Sequence, residues 1–186
     1  MLFRSVSSLL QEYKDVFDET VLPAMSGEPF KINLKPDATP CAQLKARKIP
    51  IPYMDQLKKQ LNEMEQLGVI SACEEPSPWC HPIVIAPKKD TDELRICIDF
   101  TRLNPFIQRE YHLSNSPFEA VTSIPQEELA FFCKFDARHG YWQVPLAPES
   151  RPLTCFITPF GRYVCKLAST ASLNGTTVVW TRSLLA

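Results

Sequence analysis

Seventeen prolines against five glycines in 186 residues constrain this chain more than any other feature. Each proline holds φ near about −65°, removes a backbone N–H and pushes its predecessor toward extended geometry. The chain is therefore expected to run through many extended connections around a core. Residues 20–51 carry Pro23, Pro29, Pro36, Pro40 and Pro50 and read as an extended leader, with FKINL as a candidate short strand. An apolar fraction of 45% is ordinary for a chain that buries a core.

Hydrophobic periodicity supplies the elements around that leader. Residues 2–18 place Leu2, Val6, Leu9, Leu10, Tyr13 and Phe17 at helical spacing, which reads as a short amphipathic helix. A second helix starts at Pro52. Met54, Leu57, Leu61 and Met64 form its apolar stripe, Lys58 and Lys59 lie opposite, and Gly68 can close it. IVIA at 83–86 and LRICID at 94–99 read as two strands around the polar connection KKDTDE. In the second of them Leu94, Ile96 and Ile98 face one way and Arg95, Cys97 and Asp99 the other. FFCKFD at 131–136 is a further strand that ends on a carboxylate. CFIT at 155–158 and RYVCKL at 162–167 flank a tight turn built on Pro159 and Gly161. The tail from residue 167 is rich in Ser and Thr and has no clear period.

Charge and cysteine usage narrow the function classes. A formal net charge of −1 argues against a uniformly basic nucleic-acid binder, so any such binding must use a local patch. Seven scattered cysteines without a C-x-x-C pair read as reduced thiols of an intracellular chain, in cytoplasm or nucleus. Cys80-His81 is the one adjacent Cys/His pair, a weak zinc candidate. The opening MLFRSVSSLL lacks a signal-peptide core, and no stretch approaches the roughly 20 apolar residues that span a bilayer. No membrane partner is expected.

Three groups of residues could carry chemistry, and each has a plain alternative. Asp136 stands where an apolar strand meets the polar turn ARHG. It is suited to holding a divalent ion on a rigid sheet, or it is a surface residue that starts a turn. Tyr141, five residues later, could stack on a nucleotide or pack in the core. Lys88, Lys89, Arg95 and Arg102 lie on or beside a two-stranded ribbon. They could neutralise a triphosphate or decorate a solvated hairpin, in which case Asp99 pairs with a nearby arginine or sits at a strand end without any catalytic role.

Taken together, the strings resemble one family. SPWCHPIVIAPKKDTDELRICIDFTRLN at 77–104 is similar to the fingers segment of Ty3/Gypsy-type retrotransposon reverse transcriptases. KFDARHGYWQVPL at 134–146 resembles their first palm motif, and TCFITPFGRYV at 154–164 the segment after it. The likeness covers roughly residues 8–166. It implies an α+β, reverse-transcriptase-like fold with fingers and a partial palm, an antiparallel sheet with packed helices, truncated before the thumb. The implied division is a helix and extended leader at 1–51, a fingers-like region at 52–125, a partial palm at 126–166 and a divergent tail at 167–186. By the same resemblance Asp136 is the catalytic, metal-holding acid. Lys88, Arg95, Ala137 and Tyr141 meet the incoming nucleotide, and Lys89, Asp99 and Arg102 meet the template. Mg²⁺ is the implied cofactor, and a primer–template with a deoxynucleoside triphosphate the implied partners.

Three departures bear on activity. Thr101 stands where the family usually has arginine, with Arg102 adjacent. After Tyr163 the chain reads CKLASTASLNG instead of the segment that shapes the nucleotide pocket. No acid follows Glu149, so the [YF]-x-D-D turn of the family is absent from these residues. Polymerases of this kind clamp the attacking and leaving oxygens between two metal ions, and each Mg²⁺ needs near-octahedral oxygen coordination. The chain is therefore expected not to polymerise DNA alone. It could instead be a nucleic-acid-binding remnant, or a decayed element copy joined to unrelated sequence near residue 167. An exposed sheet edge would favour association.

Overall fold

Regular structure in this chain occupies the intervals that proline leaves free. The computed structural model describes residues 6–16, 18, 24–87, 94–108, 116–122 and 140–168. In chain order these hold helix α1 (Val6–Glu12) and helix α2 (Met54–Gln66), strands β1 (Ile70–Ala72), β2 (His81–Pro87) and β3 (Leu94–Ile98), helix α3 (Pro117–Thr122), and strands β4 (Phe156–Thr158) and β5 (Gly161–Cys165). The expected strand at 131–136 and the tail from residue 169 lie outside the described residues.

Helix α2 is entered through a 3₁₀ turn, Ile51–Tyr53, with Pro52 in the position where a missing N–H costs nothing. Its stripe faces inward: Leu57 and Leu61 are buried, and Met64 packs against the same core. Gly68 ends it at φ +70°, a left-handed geometry that side chains with a Cβ resist. Two reversed bonds complete that end, Val69 N–H to the Met64 carbonyl and Gly68 N–H to the Glu65 carbonyl, both near 3 Å. The chain is thereby turned straight into β1, a strand that the apolar stripe of the helix alone does not announce.

The five strands form one sheet in the order β1-β5-β4-β2-β3. Its pairings are antiparallel apart from β2 with β4, which run parallel through His81–Phe156 and Pro82–Ile157. The predicted alternation of β3 holds. In register with β2, Ile98 faces Ile83 and Ile96 faces Ile85 on the core side, while Cys97 faces Val84 and Arg95 faces Ala86 on the other. The β4–β5 reversal is closed by Pro159 and Phe160. The Thr158 hydroxyl accepts from Phe160 N–H at 3.1 Å and donates to the Gly161 carbonyl at 3.0 Å.

The core lies between α2 and this sheet. It gathers Leu57, Leu61, Ile70, Ile83, Leu94, Phe100 and Phe156, and Trp79 and Leu146 close its margins. The buried hydroxyls in it are partnered: Ser150 accepts from Ile32 N–H at 2.9 Å, and Thr154 accepts from Cys165 N–H at 3.0 Å.

His81 is buried among these groups. Its ring lies 4.7 Å from Phe100, edge-on, and stacks 6.1 Å from Trp79, while Nε2 meets the Leu153 carbonyl at 3.0 Å. Burial pushes its pKa below the ordinary imidazole value, against the opposing pull of that carbonyl and of Asp99. The unfolded chain therefore takes up the proton first as pH falls below about 6.5, and folding stability falls with it. The urea midpoint should drop between pH 7 and pH 5, and His81→Gln should flatten that slope. An equally steep slope in the variant would refute the assignment.

The leader is stitched to the sheet rather than paired as a strand. FKINL makes two single bridges, Phe30 with Leu146 and Leu34 with Ile107. Farther on, Gln43 N–H donates to the Cys80 carbonyl at 2.8 Å, and Cys80 N–H to the Cys41 carbonyl at 3.1 Å. Helix α1 behaves differently. Val6, Leu9, Leu10, Tyr13 and Val16 are all exposed, and Leu2 and Phe17 of the expected stripe lie outside the described residues. Among the described residues, no helix is long and apolar enough to cross a membrane.

Candidate nucleic-acid interface

The hairpin of β2 and β3 carries the basic residues singled out in the sequence. Arg95 projects from the outer face of β3 and is exposed. Lys88 and Lys89, in the connection between the two strands, lie outside the described residues, as do Asp136 and Ala137. Arg95 stands at the start of β3, whereas Asp99 and Arg102 stand beyond its other end, at the exit of the strand.

Asp99 organises that exit. Its Oδ1 accepts from both the N–H and the hydroxyl of Thr101, the former at 3.2 Å. Its Oδ2 accepts from the Arg47 guanidinium at 2.6 Å. These bonds, the Thr101 hydroxyl first and Arg47 after it, hold the carboxyl below the usual carboxylate range. Thr101 thus works as an internal cap for Asp99. Arg102 turns away, donating from Nη1 to Cys41 Sγ at 3.2 Å. The arginine that meets Asp99 comes from the leader, 52 residues upstream.

Arg47 is the residue that the sequence reading missed. Pairing of Asp99 with an arginine was foreseen, but its partner lies far off in sequence. The available signal was the acid-free stretch 38–50, whose cations are Lys45, Arg47 and Lys48.

Tyr141 lies in a 3₁₀ turn, Gly140–Gln143, and is 39% exposed. Core packing is therefore not its role. The neighbouring Trp142 packs against the core instead. Leader and sheet hold this segment from both sides: Met25 N–H donates to the Gln143 carbonyl at 2.6 Å, and Leu146 N–H to the Lys166 carbonyl at 2.9 Å. No contact among the described residues joins Tyr141 to the Arg95–Arg102 group.

The Cys80-His81 pair joins no third metal-ligating side chain among the described residues. Burial raises the Cys80 and Cys155 thiols above their ordinary pKa and pushes Cys165 up to about 12, so they stay protonated and are poor metal ligands. Cys41, Cys73, Cys80, Cys97, Cys155 and Cys165 are free thiols. Among the described residues, no group of three or more His, Cys, Asp or Glu side chains is arranged to hold a metal ion.

This fold, α+β with a curled, mainly antiparallel sheet and a helix packed on it, has a counterpart among solved structures. The native crystal structure of prototype foamy virus protease–reverse transcriptase matches it with a TM-score of 0.71. The match covers 91% of this chain and 22% of that one at 20% identity, a likeness of fold alone. In sequence, the chain is a homologue of Pol polyproteins of the retroviral and retrotransposon kind. The retrovirus-related Pol polyprotein from transposon opus of Drosophila melanogaster is 28% identical over 164 residues, 85% of this chain and 16% of that protein. The enzymatic polyprotein of Cauliflower mosaic virus is 32% identical over 130 residues, 67% of this chain and 18% of that polyprotein. The chain thus spans less than a fifth of the length of these relatives. No family model matches it.

Proposed function

We propose that this chain is the nucleic-acid- and nucleotide-holding part of a Ty3/Gypsy-type RNA-directed DNA polymerase, and that its 186 residues do not turn over by themselves. The observation that carries the reading is the Arg47–Asp99 pair, which with Arg102 occupies the exit of β3, while Arg95 is exposed on the outer face at the start of the same strand. Similarity to Pol polyproteins and to a reverse-transcriptase fold supports it.

In this reading, Lys88 and Arg95 meet the triphosphate of an incoming deoxynucleotide, and Ala137 and Tyr141 line its sugar. Guanidinium and ammonium groups suit that task because charge-assisted bonds to phosphate are strong and geometrically specific. Lys89, Arg102 and Asp99 meet the template, with Asp99 held in place by Thr101 and Arg47. Asp136 is the acid that would bind Mg²⁺, and the metal pair would stabilise the charge that builds on the attacking and leaving oxygens. One carboxylate cannot hold that pair. Its other acids would have to come from beyond these residues or from another chain, so this chain's own contribution is binding and orientation. An intracellular setting follows from the same reading.

Binding of a primer–template duplex tests it. Lys89 and Arg102 are the two cations assigned to the template, so the affinity should fall with salt at a log–log slope of about −2. Gel retardation from low to physiological salt reads that slope directly. A duplex that is not retarded at any salt, or is retarded independently of salt, would count against the proposal.

A further inference from the structure

We propose that leader residues 41–49 form a track for the backbone of a single nucleic-acid strand, docked on the hairpin exit by the Arg47–Asp99 pair. This deepens the polymerase reading and rests on it.

Three observations support the track. First, the segment is fixed at both ends. Ala42 bridges Cys80, Gln43 N–H bonds the Cys80 carbonyl, and Ile49 packs against the core. Between these anchors the 2.6 Å Arg47–Asp99 bond ties the segment to the exit of β3. Second, its cations face solvent. Lys45, Arg47 and Lys48 are exposed, and residues 38–50 contain no acid. Third, the local charge is unbalanced. Asp99 is taken up by Arg47, whereas Lys45, Lys48, Arg95 and Arg102 make no ion pair with a described residue.

A surplus of cations along one extended segment suits phosphate contact. Such contacts position a strand without reading its bases. The cations lie along one extended segment, an arrangement that follows the backbone of a single strand. Arg47 acts here chiefly as a positioning residue. Its bond to Asp99 sets where Lys45 and Lys48 stand relative to Arg102.

The test measures retention of a fluorescent single-stranded oligonucleotide by the whole chain across a salt series. Lys45→Ala with Lys48→Ala should reduce the log–log slope by about one to one and a half, near 0.7 for each lost contact. Asp99→Ala separates anchoring from charge. Removing an acid beside bound phosphate should strengthen binding on charge alone, whereas loss of the anchor should weaken it. The track predicts weaker binding, with circular dichroism like that of the unchanged chain. A lysine variant with an unchanged slope overturns the track and leaves the polymerase reading standing, whereas tighter binding by Asp99→Ala overturns the track together with the template role of Asp99. Equal retention of polyglutamate, a polyanion without phosphate, also overturns it. If the unchanged chain retains neither oligonucleotide nor primer–template duplex, the polymerase reading fails and the track with it.

Discussion

Phe100→Ala is expected to destabilise this chain by about 3–5 kcal/mol, a large share of the stability of a typical domain. Phe100 is 2% exposed, sits edge-on to His81 at 4.7 Å and belongs to the core that joins β2 and β3 to α2. Its removal forfeits the transfer of a large ring and leaves a cavity that rigid neighbours cannot fill. The same residue also starts the turn beyond Asp99. Its carbonyl accepts from both Leu103 and Asn104 N–H at 2.9 Å. Loss of the ring should therefore loosen the Asp99 exit as well as the core. Phe118→Ala is the control. Phe118 is 76% exposed on α3, and its truncation should stay within about 0.5 kcal/mol. Urea denaturation of both variants reads the difference, and similar losses at the two positions would contradict the description of the core.

Elements with strong local signals were legible from the residues. Helix α2 follows from its stripe, and its end from Gly68, because a left-handed C-terminus favours glycine whatever surrounds it. The β3 alternation was also readable, since one buried face imposes a period of two. Helix α3 carried a signal that was passed over. Ser116 and Glu119 cap each other's backbone N–H at 3.2 and 2.7 Å, the reciprocal pattern that S-P-F-E encodes. Strand β1 and the parallel pairing of β2 with β4 were not legible. Both depend on partners far away in the chain, and three residues of Ile-Ser-Ala say little until β5 lies beside them.

The candidate site divides along the same line. Arg95, Asp99 and Arg102 stand out in the sequence because they lie close together, on one strand and its exit. Tyr141 had two open readings, stacking or core packing, and its exposure removes the second. Arg47 escaped because an ion pair bridging 52 residues leaves no periodicity to detect. Of the expected stripe of the first helix, Val6, Leu9 and Leu10 lie in α1 and are exposed. Their exposure depends on tertiary contacts that spacing along the chain does not encode.

No nucleotide incorporation is expected from this chain, however well it binds a primer–template. Two-metal phosphoryl transfer needs several carboxylates around the metals. Asp136 is the one acid that the motif provides here, and no acid follows Glu149. An incomplete metal set would leave the charge developing on the transferred phosphoryl group without its main stabilisation. Asp136→Asn should accordingly change nothing that an extension assay can read. The most direct measurement is primer extension on an RNA template with Mg²⁺ and deoxynucleoside triphosphates, run beside duplex retardation on the same preparation. The account predicts a retarded duplex with a primer that stays at its starting length. Extension that Asp136→Asn abolishes would contradict it.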